Sequence, residues 1–162
     1  MYSIVVSRIL VIIKSMKTIA ICSSANFYRQ AVDIQSKLEK LGYKVIIPAS
    51  AEKMKKSGDY DVNRLKTWFS DDKDYHKKVS LMRGHFAEIE VADSILVLNY
   101  QKNEIPNYIG GNVLMEMAIA FYLNNDIFIL NEIPEESIFL EEIKGMQPIV
   151  LHGQLENLAS SY

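Results

Sequence analysis

Cysteine is almost absent from this chain: Cys22 is the only one, so no intramolecular disulfide can form and no cluster of metal-binding thiols is spelled out. Such usage fits a reducing cytoplasm. A charge excess is missing as well, with 18 Lys and Arg against 20 Asp and Glu and a net charge of −2. Without a broad basic field, tracking of a phosphate backbone has little electrostatic support, and nucleic acid polymers are not expected partners. Long apolar runs are lacking too. The longest candidate, MYSIVVSRILVIIKS, falls short of the about 20 residues that span a bilayer, so no membrane partner is expected. No A-x-A-like cleavage site precedes Met16-Lys17, and a clear strand pattern starts directly afterwards. Residues 1–15 read as an extension or misplaced start, or alternatively as a structured arm, ahead of a domain covering 16–162. Internal repeats and low-complexity tracts are absent.

What is present is the material for one domain with a real core: 162 residues, 49% hydrophobic and 23% charged. KTIAIC reads as a strand, SSANF as a polar loop, and RQAVDIQSKLEKLGY as a helix with Ala31, Ile34, Leu38 and Leu41 on its apolar side. Gly42 supplies the helix stop, Lys44 to Ile47 a second strand, and Pro48 its end, which makes a right-handed βαβ unit. The lysine-rich stretch from Ser50 to Asp74, anchored by Trp68 and Phe69, reads as an excursion over the sheet edge rather than a core element.

A long helix is expected from about Asp72 to Val91 with Val79, Met82, Phe86 and Ile89 on one stripe, followed by the buried strand Ser94 to Leu98. The segment VLMEMAIAFYL is apolar almost all round, Asp126 to Leu130 is another strand, and Pro148 to Leu151 a last short one. The expected fold is α/β: a three-layer, mostly parallel, five-stranded sheet with flavodoxin-like or Rossmann-like winding.

In such sheets ligands bind beyond the carboxyl ends of the strands, and those positions are polar here. Strand one runs into Ser23, Ser24 and Asn26, the strand at 94–98 into Asn99 and Tyr100, and the strand at 126–130 into Asn131 and Glu132. Ser and Asn are also ordinary caps and turn formers, so their convergence on one edge carries the signal. Gly110, Gly111 and Asn112 open a helix, where glycine lets backbone N–H groups approach an anion and the helix N-terminus adds positive partial charge. No Lys follows as in a phosphate-binding P-loop, and the spacing is not the dinucleotide fingerprint, so neither NAD nor ATP is favoured and no cofactor is expected.

Glu116 is the sharpest feature, being the only charged residue between Glu104 and Asp126 on an otherwise apolar helix. An unpaired carboxylate in apolar surroundings costs several kcal/mol or takes up a proton, so such a residue is paired, capping, or kept for chemistry. A Glu serving the helix N-terminus and a reactive Glu facing a ligand both fit the sequence.

ADSILVLNY, followed by GGNVLMEMAIA and DIFILNEIPE, resembles the nucleoside 2-deoxyribosyltransferase superfamily over about residues 17 to 153, including its deoxynucleoside 5′-monophosphate N-glycosidases. The fuller strings HFAEIEVADSILVLNY, NYIGGNVLMEM and KGMQPIVLHG look like an uncharacterised branch of it. The resemblance implies that Glu116 attacks the anomeric carbon of a deoxyribose, that a nucleoside or nucleotide is the small-molecule partner, and that the chain forms a homodimer or larger homo-oligomer. It further implies that Ser23, Ser24 and Gly110 to Asn112 sit where the monophosphate hydrolases hold the 5′-phosphate. Two positions depart from the pattern. His85 stands where the superfamily usually has an orienting Asp, and would protonate the departing base or contact the sugar, or else is simply a surface or packed residue of its helix. Gly110 stands where the monophosphate hydrolases commonly have Ser. A binding-only descendant that senses nucleotides is one alternative, and an unrelated flavodoxin-like protein is the other. Lys78 and Arg83, near His85 in sequence, are candidates for steering an anion or are simply solvated charges.

Overall fold

Alternating side chains decide the layers. In the computed structural model, which describes residues 16–160, β1 (Thr18–Ser23) sends Ile19 and Ile21 to one face of the sheet and Ala20 and Cys22 to the other. β3 (Ser94–Leu98) does the same with Leu96 and Leu98 against Ile95 and Val97, and β4 (Asp126–Ile129) with Phe128 against Ile127 and Ile129. Strands buried on both faces must be covered twice, and two separate cores result.

The first core is closed by α1 (Tyr28–Lys40) and α2 (Ala49–Ser57), the second by α3 (Tyr75–Glu90), α4 (Gly111–Tyr122) and α5 (Leu140–Gly145). With β2 (Lys44–Ile46) and β5 (Ile149–Val150) the sheet has five strands, all parallel, in the order β2-β1-β3-β4-β5. This is the flavodoxin-like order, whose switch point lies between β1 and β3. Among the described residues no helix is long and apolar enough to cross a membrane. Residues 1–15, read from sequence as an extension or an arm, lie outside the described residues.

Three local expectations are corrected. The stretch after Ser50 is not a plain excursion, because α2 occupies its start and buries Ala51 and Met54 in the first core. Its small and flexible core residues carry little of the apolar periodicity by which helices are read. Trp68 is buried as expected, but Phe69 is 74% exposed. On α3 the buried line passes through His85 and Ile89, while Val79 is 48% exposed and Met82 and Phe86 only half-buried. The helix is turned so that a histidine, rather than the valine, faces inward.

Helix α4 explains its own composition. Val113, Glu116, Met117 and Ala120 face inward, Met115 and Tyr122 lie exposed on the opposite side, and Phe121 lies exposed at the flank. Apolar residues all round therefore make two faces, one buried and one bare.

Candidate functional site

The switch point holds a cavity of about 170 Å³. Its floor is built where β1 runs into Ser23 and Ser24 and where the loop Gly110-Gly111-Asn112 turns into α4. Gly110 caps that helix in an extended conformation, and a Cβ there would come within 2.7 Å of the Tyr108 hydroxyl, so the close approach of Tyr108 requires a glycine. From the second core, α3 contributes Lys78 and His85 and α4 contributes Glu116. From the other side come Tyr28 and Ser50, joined by a hydrogen bond that Ser50 Oγ donates to Tyr28 Oη at 2.9 Å. Burial pushes the Tyr28 phenol up to about 12, so it remains neutral.

Glu116 sits only 3% exposed on the wall of this cavity. Its Oε1 accepts a 2.7 Å bond from Asn112 Nδ2, and Asn112 Oδ1 accepts a 2.8 Å bond from Lys78 Nζ, so a chain of polar contacts runs from the cavity's ammonium group to the carboxylate. Among the described residues Oε2 has no hydrogen-bond partner; it stands 3.8 Å from His85 Nε2, which is likewise without one. Loss of water around the carboxylate pushes Glu116 up to about 7, against the pull of His85, the Cys22 thiol, Lys78 and Asn112.

His85 is buried, which by itself would lower its pKa. The 2.6 Å bond between its Nδ1 and Glu88 Oε2 and the negative charge of Glu116 more than offset that, and the imidazole is held above its ordinary value. Cys22, fully buried on β1, is pushed well above the ordinary thiol range by desolvation and then by Glu116. The thiol sulfur, a His85 ring nitrogen and a Glu116 oxygen all lie within 4.8 Å of one another.

Three lysines face the same cavity from different segments: Lys66, Lys78 and Lys102. Partial burial lowers the pKa of each, and Lys66 is lowered further by Lys102 and Lys78 by Lys66. Lys102 is placed by a tight reversal in which Asn103 and Glu104 adopt positive φ and Lys102 pairs with Ile105. Its ammonium group donates to Ser24 Oγ at 3.2 Å and lies 4.6 Å from the centre of the Tyr108 ring. Trp68 closes the cavity beside Lys78, whose nitrogen is 5.7 Å from the ring centre.

Of the residues expected from sequence, Ser23, Ser24, His85, Gly110, Gly111, Asn112 and Glu116 come together around this cavity. Asn99, Tyr100 and Asn26 are not part of its lining. Asn99 is fully buried and ties two strand ends together, donating to the Glu132 carbonyl and accepting from the Asn131 N–H. Tyr100 packs edge-on against Phe27 at 5.5 Å, and Asn26 accepts from Ser24 Oγ and lines a neighbouring depression with Tyr60. Arg83 is exposed and outside the lining, whereas Lys78 is part of it.

Sequence reasoning passed over Cys22, Lys66, Trp68, Lys102 and Tyr108. A lysine in a polar loop looks like any solvated charge, and nothing local marks Lys66 or Lys102 as neighbours. Cys22 carried a signal only in its position, one residue before the polar strand end. No protein-family model matches the chain, and no curated protein matches it either.

Proposed function

We propose that the chain cleaves the N-glycosidic bond of a 2′-deoxynucleotide, or transfers its deoxyribosyl group, with Glu116 as nucleophile. The observation that carries this reading is the buried Glu116 carboxylate with Oε2 unpartnered on the cavity wall, 3.8 Å from a histidine held toward its protonated form. In the first step Glu116 attacks C1′, the C1′–N bond breaks through an oxocarbenium-like transition state, and the bonding pair leaves with the base, which takes a proton from His85. In the second step water attacks C1′ and releases Glu116 as the carboxylate, while neutral His85 accepts the water's proton. A second base in place of water gives transfer.

Lys66, Lys78 and Lys102 favour a phosphorylated substrate over a bare nucleoside, since three ammonium groups with Ser24 and the N-terminus of α4 make an anion receptacle. The resemblance adds a homo-oligomer, for which the exposed Met115, Phe121 and Tyr122 of α4 offer an apolar surface. Light scattering on the purified chain tests that point directly.

The competing reading is a nucleotide-binding module without turnover. It is favoured by a carboxylate that burial holds toward its protonated, non-nucleophilic form. Incubation with deoxynucleoside 5′-monophosphates, read by chromatography for free base, separates the two. Base release that falls by orders of magnitude in Glu116→Gln with binding retained supports the glycosidase. Tight binding without any base release, in wild type and variant alike, supports the module.

A further inference from the structure

We propose that Cys22, His85 and Glu116 form a binding site for a divalent transition-metal ion of the zinc type, with its open coordination position facing the cavity. This goes beyond the glycosidic reading and does not depend on it. The three side chains come from β1, α3 and α4, more than thirty positions apart in the chain at the nearest, and all are buried. A soft thiolate, an imidazole and one carboxylate make a donor set suited to Zn²⁺ and Co²⁺ and poorly suited to Mg²⁺ or Ca²⁺.

The geometry needs only a small adjustment. Around a tetrahedral zinc ion, donor atoms are roughly 3.4–3.6 Å apart. His85 Nε2 and Glu116 Oε2 are already 3.8 Å apart, and no pair in the triad exceeds 4.8 Å. Among the described residues these two atoms are also buried polar atoms left without hydrogen-bond partners. The other imidazole nitrogen is bound to Glu88 at 2.6 Å, the carboxylate–histidine arrangement that orients a metal-ligating ring. Asn112 plays the equivalent part for Glu116 by holding Oε1.

Charge balance agrees. Ion binding displaces the proton of Cys22, and the resulting thiolate with the Glu116 carboxylate neutralises the two positive charges of the ion. His85 and Glu116 line the cavity, which gives the ion a path from solvent. An ion so held occupies the carboxylate lone pairs, so this state and nucleophilic attack by Glu116 exclude one another.

The test is titration of the metal-free, full-length protein with Co²⁺, followed by absorption spectroscopy. One Co²⁺ per chain should bind with a thiolate-to-cobalt charge-transfer band in the near ultraviolet, and Zn²⁺ should abolish the band by competition. Cys22→Ala should remove the band, and Glu116→Gln or His85→Ala should weaken binding at least tenfold. Glu88→Gln, one bond further out, should weaken it by about tenfold. Wild-type protein that binds no Co²⁺, or binds it without the thiolate band, overturns the proposal whether or not any variant folds. So does a band of wild-type affinity in Glu116→Gln and His85→Ala. Base release has no bearing on either outcome, so this site and the glycosidase reading fail separately.

Discussion

His85 Nε2 lies 3.8 Å from Glu116 Oε2 in a pocket that strips water from both, so the Glu116 charge is supported first by His85, and the His85 charge by the bond to Glu88 and then by Glu116. The pair is poised around neutrality: the carboxyl is pushed up to about 7 and the imidazole is raised above its ordinary 6.5. Nucleophilic attack needs Glu116 ionised, and protonation of the leaving base needs His85 charged. Base release, expressed as kcat/KM, should therefore rise with pH through about 7 and fall again above the raised imidazole pKa. A profile flat from pH 5 to 9 would count against both roles.

Stability should follow the same groups. Glu116 has an ordinary value of 4.5 and is raised in the folded chain, so folding favours its protonated form and loses ground as pH rises from 4.5 through about 7. That span corresponds to about 3 kcal/mol. His85 acts in the same sense, because a raised imidazole stabilises the fold below 6.5 and ceases to do so as pH passes its folded value. Glu116→Gln keeps the Asn112 contact and removes the buried charge. Urea unfolding at pH 8 should show it more stable than wild type by up to about 3 kcal/mol, and at pH 4 nearly equal. Equal destabilisation at both pH values would identify Glu116 as a structural group instead.

How far these features could be read in advance depended on chain distance. The strands were legible because Ile19 to Cys22, Ser94 to Leu98 and Asp126 to Ile129 are continuous apolar runs, as double-sided burial demands. Glu116 was legible because a charge amid VLM and MAIA contradicts its surroundings. The rotation of α3 was not, since it is set only when the helix meets α4 and α2, which leaves Val79 exposed and His85 buried, a tertiary fact. Nor was the lysine cluster, whose members approach one another only after the chain has folded. Asn99 shows the reverse case: a polar residue at a strand end reads as a ligand group, and in the structure its side chain joins the ends of β3 and β4.

The lysine cluster yields a binding test independent of turnover. Lys66→Ala and Lys102→Ala should each weaken a deoxynucleoside monophosphate about tenfold at low salt, by loss of a charged partner for the phosphate. The effect should shrink as ionic strength increases. Arg83→Ala, altering an exposed charge outside the cavity, should leave affinity unchanged in the same calorimetric series. Equal losses in all three variants would point to a general field effect rather than a seat for the phosphate.

The last expectation concerns Gly110, where the monophosphate hydrolases that the sequence resembles commonly carry Ser. Here a Cβ would meet the Tyr108 hydroxyl at 2.7 Å and its ring carbons at 3.1 Å, so substitution must move the ring. That ring lies 4.6 Å from the Lys102 ammonium group, which in turn is bound to Ser24, so the displacement reaches the anion receptacle. Gly110→Ala should cost about 1–3 kcal/mol as an overpacking change and also weaken phosphate binding. In a Tyr108→Ala background the three nearest contacts of the added Cβ are gone, and its stability cost should largely disappear. The double-mutant cycle should therefore show a coupling of about 1 kcal/mol or more between positions 108 and 110. Additive costs would mean that the glycine serves the backbone at the start of α4, and that Tyr108 merely occupies the space it leaves.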